Sequence, residues 1–269
     1  MAKARVGDFE LFYERGGSGE PLLLIMGMSG THLSWGEPFL ETLRRDFDVV
    51  IYDHRGIGLS SDAPAGYSIA DLADDAAGLL DVIGWESAHV VGISMGGMVA
   101  QELVLRHPDR VRTLTLGCTY AGGEGASLSA PEVIQGLTEA MTSGDRERAI
   151  RAGWGYNVSP RFAADEDQYT EFRRRALEVP ARLPAIMAQM QAIQPHNTSE
   201  RLGQITAPTL VIHGTEDQML PASNAEAIGR RIPDARVEIM DGIGHLFFWE
   251  EPERSAELVR SHALSHATT

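Results

Sequence analysis

The chain has 269 residues, 43% of them hydrophobic and 23% charged, which is enough apolar material for a large core and excludes a disordered protein. Its 38 acidic against 23 basic residues give a formal charge of −15, which repels nucleic acid and anionic membrane surfaces and favours a small neutral or apolar molecule as partner. One cysteine, Cys118, lies in an apolar run and reads as a buried thiol; with no signal-like apolar stretch at the start and an early run, 22–26, far too short to span a bilayer, a cytoplasmic protein without membrane contact is expected.

In chain order, the short apolar runs 9–13, 21–26 and 47–52 read as strands. A helix at 69–83, with apolar residues at spacings of three and four, is followed by a strand at 88–93, a helix at 95–107 and a strand at 111–117. Between 120 and 204 the rhythm breaks: Pro131, Pro160, Pro180, Pro184 and Pro195 punctuate what read as helices. Alternation resumes with a strand at 209–213, a helix at 222–231, a strand at 235–240 and a helix at 252–262. Several strands are almost wholly apolar, as expected for strands covered on both faces. The pattern predicts an α/β fold on a mostly parallel sheet, with residues 1–119 and 205–269 as the core and 120–204 as a helical insertion.

Gly92-Ile93-Ser94-Met95-Gly96 matches G-x-S-x-G, a sharp strand-to-helix turn that exposes a nucleophilic serine. In a chain with 28 glycines the pentapeptide is a weak signal by itself; its place between the strand 88–93 and the helix 95–107 gives it force. A serine hydroxyl needs a general base held by a carboxylate. His245, after Gly242-Ile243-Gly244, follows the strand 235–240, and Asp217 follows the strand 209–213, so both fall in loops at strand C-terminal ends, where open α/β sheets bind ligands. Glu216 is a rival orienter and Asp241 a weaker one. The developing oxyanion calls for two backbone N–H donors: Met95, directly after the serine, and one from the loop Met26-Gly27-Met28-Ser29-Gly30.

Met26-Gly27-Met28, Tyr52-Asp53-His54-Arg55-Gly56-Ile57-Gly58-Leu59-Ser60, Gly92 to Gly97, His213-Gly214 with Asp217 and Pro221, and Gly244-His245 stand in this order. Together they resemble the α/β-hydrolase superfamily in its serine esterase and lactonase branch, with similarity to both polyketide methyl esterases and enol-lactonases. The resemblance implies an eight-stranded, mostly parallel sheet with helices on both faces and a helical cap at 120–204. It implies Ser94 as nucleophile, Asp217 as orienter and His245 as base, with Met28 as the second oxyanion donor, although many relatives carry histidine where this chain has Met26. It also implies a structural role for Asp53 and Arg55 beside the oxyanion loop.

The expected activity is hydrolysis of a carboxylic ester or lactone of a small, largely apolar molecule through an acyl-enzyme on Ser94, with no cofactor and no metal. Carbon–carbon bond hydrolases, aminopeptidases and hydroxynitrile lyases share such a triad and stay open, as does a ligand sensor that binds without turnover. Serine at 94 argues against dehalogenase and epoxide hydrolase relatives, which use aspartate there. His32 or Trp35 is a candidate for the substrate entrance, Trp35 equally for the core. Trp154, Tyr156, Phe172, Met187 and Met190 offer apolar surface in the cap, more for packing than for contact, so no substrate contact is assigned. His107 suits a helix end, His54, His89 and His213 read as packing or hydrogen-bonding residues, and His196, His262 and His266 as solvated ones.

Overall fold

The computed structural model describes residues 2–266. In chain order the elements are β1 (Ala2–Val6), β2 (Phe9–Gly17), β3 (Glu20–Ile25), α1 (Glu37–Leu43), β4 (Phe47–Tyr52), α2 (Ile69–Val82), β5 (Ala88–Ile93), α3 (Met95–Arg106) and β6 (Val111–Gly117). Five helices follow without a strand among the described residues: α4 (Pro131–Thr142), α5 (Arg146–Asn157), α6 (Pro160–Ala163), α7 (Glu166–Glu178) and α8 (Leu183–Ile193). The chain closes with β7 (Thr209–Gly214), α9 (Ser223–Gly229), β8 (Arg236–Met240), α10 (Phe247–Glu250) and α11 (Pro252–Leu264).

All eight strands share one sheet in the order β1-β2-β4-β3-β5-β6-β7-β8, parallel except where β2 meets β1 and β4. Side chains alternate across it. Leu22, Leu24, Val49, Ile51, Val91 and Ile93 pack toward α1 and α11, while Leu23, Ile25, Val50 and Val90 pack toward α2 and α3. Coverage on both faces explains why β3 and β5 read as unbroken apolar runs; each fully buried leucine there contributes roughly 1.5–3 kcal/mol.

The chain leaves β3 toward β4 on one side and later returns to β5 on the other, so strand order reverses between β3 and β5. Loops leaving the carboxyl ends of two such strands diverge and open a crevice, the usual ligand site of an open α/β sheet. Pairing of Ile25 with Gly92 sets the height of the two exits, and Gly27 thereby comes to rest against Ser94.

Four elements differ from the sequence expectation. Strand β1 buries only Ala4, so it carries no apolar run and is held by its ladder to β2 on the sheet edge. Strand β2 extends past Tyr13 to Gly17 because the polar residues Glu14 and Arg15 still pair with β4. Helices α1 and α10 are short and seat Phe39, Leu40, Leu43, Phe247 and Phe248 in the core.

Candidate active site

Ser94 is the N-cap of α3 and has φ 56° and ψ −122°, a region that costs a non-glycine residue about 1–3 kcal/mol. The turn is locked on every side: Ser94 N donates to Gly117 O at 2.9 Å, and Ser94 O accepts from Gly97 N at 2.9 Å and Thr119 Oγ1 at 2.7 Å. Its flanking glycines are required by close approach. A Cβ on Gly92 would stand 2.2 Å from Gly96 O, and one on Gly96 would stand 2.0 Å from Ile25 O. The strained turn thus presses β5 and α3 together and leaves the Ser94 side chain on the wall of a cavity of about 330 Å3.

Met95 is the first residue of α3 and is buried, and Met28 lies on the cavity wall. Among the described residues, neither main-chain N–H donates a hydrogen bond, so both are free to meet an acceptor. The loop that carries Met28 is braced from three directions. His54 Nε2 donates to Met26 O at 2.9 Å, with burial holding that imidazole below its ordinary pKa and therefore neutral. Asp53 accepts from His32 N at 2.6 Å, from His32 Nδ1 at 3.0 Å and from Leu59 N at 2.8 Å, tying the loop after β4 to the loop after β3. Gln189, from α8, accepts from Ser29 N at 2.8 Å, next to Met28. With these supports in place, Met26 needs no imidazole of its own.

Asp217 and His245 leave the ends of β7 and β8 and meet: Nδ1 of His245 donates to Oδ2 of Asp217 at 2.7 Å, both residues buried. That bond fixes the tautomer and leaves Nε2 as the basic nitrogen. Ser94 and His245 line the same cavity, and no hydrogen bond joins their side chains among the described residues. Such bonds are commonly long in unliganded sites and tighten with substrate. Asp217 accepts further from Met219 N at 2.8 Å and Leu220 N at 2.9 Å, and His213 Nε2 lies 3.0 Å from its Oδ2. Burial raises its pKa, but the two imidazoles and their hydrogen bonds outweigh burial and hold it well below the usual carboxylate range.

The sequence reading put His213 and Cys118 in the interior but did not link them to this pair, and it did not mark Glu250. His213 Nε2 donates to Leu220 O at 2.8 Å and so braces the Asp217 loop. Cys118, at φ 43°, lies beneath the pair; its sulfur is within 4.8 Å of a ligating atom of both Asp217 and His245. These three make the one group among the described residues with metal-ligand proximity, but the chemistry does not fit a cation. Burial and then Asp217 push the thiol well above its ordinary pKa, and both Asp217 oxygens are already engaged by N–H groups. Glu250 accepts from Gly244 N and from Ser159 N, each at 2.8 Å, fastening the His245 loop to the junction of α5 and α6. A glycine-rich loop flanked by buried polar residues was the only local signal.

The expected rivals lie elsewhere: Glu216 and Asp241 are exposed and, among the described residues, make no hydrogen bond to His245, and Asp241 is bonded to Thr215 at 3.3 Å. Arg55 pairs with Asp75 at 2.6 Å rather than with Asp53. His32 and Trp35 are buried away from the cavity, because Asp53 captures the first and Phe39 and Phe248 enclose the second. His196 and His262 are also buried, contrary to their reading as solvated: the first packs edge-on against Tyr120, and the second bonds Pro208 O at 3.1 Å. In the helical segment, Phe172 lines the cavity with Leu137, Ile150 and Ile186, Trp154 is buried among Phe162, Phe172 and Trp249, and Met187 and Met190 face solvent.

No helix among the described residues is long and apolar enough to cross a membrane. Residues 20–252 match the family model described as alpha/beta hydrolase fold. A protein of Azorhizobium caulinodans named as the carbamate hydrolase RutD is 32% identical over 262 residues, 96% of this chain and 97% of the relative. A hydrolase from Pseudomonas aeruginosa PA01 superposes with a TM-score of 0.84 at 29% identity, covering 97% of each chain. The enol-lactonase from Burkholderia xenovorans LB400 gives a TM-score of 0.84 at 26% identity, over 98% of this chain and 100% of that one.

Proposed function

Because the chain belongs to the alpha/beta hydrolase fold family and is a hydrolase of that fold, we propose that it cleaves a carboxylic ester or lactone of a small, largely apolar molecule through an acyl-enzyme on Ser94. The observation that carries this reading is the 2.7 Å bond from His245 Nδ1 to Asp217, made by a histidine that shares its cavity with Ser94. His245 Nε2 takes the Ser94 proton as Oγ attacks the carbonyl carbon, and Asp217 stabilises the imidazolium that forms. The tetrahedral oxyanion is met by the N–H groups of Met28 and Met95 at the positive end of α3. His245 then protonates the departing alkoxide. Water, deprotonated by the same nitrogen, attacks the acyl carbon and frees the acid and Ser94. The helices within 120–204 act in this scheme as a cap that shapes the cavity over a core of 1–119 and 205–269.

Carbamate cleavage is a second reading, favoured by the 32% identical relative, since a carbamate carbonyl meets the same groups. The test is a panel of short-chain esters, methyl esters, lactones, enol-lactones and aryl carbamates ranked by kcat/KM, run beside fluorophosphonate labelling and Ser94→Ala. Labelling at Ser94 is expected, with loss of turnover in the folded variant. An unlabelled Ser94 together with an unreactive panel, or full activity in Ser94→Ala, refutes the proposal.

A further inference from the structure

The wall of the cavity carries two arginines, Arg146 and Arg175, and no carboxylate, although acidic residues outnumber basic ones by 38 to 23 in the chain. The rest of the wall is apolar or uncharged polar apart from His245, so these guanidiniums are its permanent charges among the described residues. At an ionic strength near 0.15 M the surface acids are screened beyond about 8 Å, so the formal charge of −15 does not set the sign of the potential felt by a bound molecule.

Arg175 is held in place. Its side chain is 14% exposed; Nε donates to Glu171 at 2.6 Å, Nη1 to Leu33 O at 3.2 Å, and its guanidinium lies 6.0 Å from the centre of the Trp249 ring. Those contacts occupy Nε and Nη1 and leave Nη2, between them, without a partner among the described residues. Glu171 is also shared: both its oxygens bond Arg174, at 2.8 and 2.9 Å, and the two guanidiniums draw its pKa down to about 2, hydrogen bonding from Arg174 being the largest cause. Arg146 stands exposed as the first residue of α5, with no carboxylate in ion-pair range among the described residues. Its sequence neighbours are acidic, the N-cap Asp145, which accepts from Arg148 N at 3.1 Å, and Glu147, so what Arg146 offers the opening is its own mobile guanidinium rather than a positive helix end.

We propose that the substrate of this site carries a carboxylate as well as the scissile bond, so that the enzyme takes a half-ester or carboxylated lactone, with Arg175 Nη2 pairing the carboxylate and Arg146 drawing it to the mouth. The proposal rests on the hydrolase reading for the scissile bond but not for the anion site. A planar guanidinium with free N–H groups suits a carboxylate, and an apolar surround strengthens the pair.

The test compares monomethyl glutarate with the neutral methyl pentanoate. Wild-type protein is expected to prefer the charged ester at least about tenfold in kcat/KM, a difference of about 1.4 kcal/mol, and Arg175→Gln and Arg146→Gln are each expected to lower that ratio, with Arg175→Lys keeping part of it. Added salt should erode the preference. In parallel, calorimetry with Ser94→Ala measures binding of the same two esters without turnover. Hydrolysis of both esters with a ratio near one, or a ratio unmoved by either glutamine variant, overturns the anion site and leaves the hydrolase reading standing. Binding of monomethyl glutarate that depends on Arg175, with no ester cleaved by wild type, keeps the anion site and removes the hydrolase reading. Failure of Ser94→Ala to bind monomethyl glutarate in preference to methyl pentanoate also overturns the anion site.

Discussion

Replacing Asp217 by asparagine probes the centre of the site with almost no change of shape. The carboxylate accepts three hydrogen bonds, two on Oδ1 from Met219 N and Leu220 N and one on Oδ2 from His245 Nδ1. An amide offers one acceptor oxygen, so at least one of the three donors faces an NH2 group instead. A buried donor left unpaired costs about 1–3 kcal/mol, the expected loss of folding stability. If the amide oxygen keeps the loop N–H groups, its NH2 faces His245 and favours the tautomer with hydrogen on Nε2, so the nitrogen turned to Ser94 can no longer accept a proton. The expected loss in kcat is about 10⁴-fold, the size found when the same exchange imposes the wrong tautomer in a serine protease triad. The assay is p-nitrophenyl butyrate hydrolysis near neutral pH, with urea unfolding of the same preparations. A folded Asp217→Asn protein with kcat within tenfold of wild type would refute the orienting role, and a large loss of stability with kcat intact would make the carboxylate a purely structural anchor.

Gln189→Leu removes the acceptor for Ser29 N and should lower kcat/KM by about two- to tenfold, in line with the 0.5–1.5 kcal/mol of one hydrogen bond; unchanged kcat/KM would show that α8 does not support the oxyanion loop. Acid sensitivity should come partly from His89 and His196, which burial lowers from 6.5 to about 4. Between those values the unfolded chain binds more protons than the folded one, so stability falls as the pH drops from about 6.5 toward 4. Asp217 adds a second loss: its folded pKa is depressed, so its contribution is complete above the unfolded value of about 3.9 and disappears below it. Thermal melts across this range should show the decline, and His89→Gln with His196→Gln should flatten the upper part of it; a melting temperature that rises on acidification from 6.5 to 4 would contradict the assignment.

The legible parts of the fold are those where one residue's surroundings are set by its neighbours in sequence. β3 and β5 are buried on both faces and announce themselves as apolar runs; β1 buries Ala4 alone and is silent. Ser94, Asp217 and His245 stand at strand exits, so strand recognition located them, and the structure brings the last two to 2.7 Å. His262 could have been read correctly: with Ser255, Ala256, Val259 and Ala263 it lies on the inward face of α11 at helical spacing. His196 and Gln189 could not, because their surroundings come from Tyr120 and Ser29 through folding back of the chain, and no local pattern encodes those meetings. Arg175 likewise carries no local signal: it is one of three successive arginines in α7, and only the fold sets it on the cavity wall.

The order of strands on the right-hand half of the sheet, β5-β6-β7-β8, repeats their order in synthesis. A ribosome therefore delivers the elbow of Ser94 long before the acid and the imidazole, and delivers them at the far margin of a sheet that is still growing. If His245 is the base of the proposed reaction, Ser94 has no partner to deprotonate it until residues beyond His245 have emerged and β8 has docked on β7. Under that proposal the nascent chain is inert, and turnover waits for its last strand.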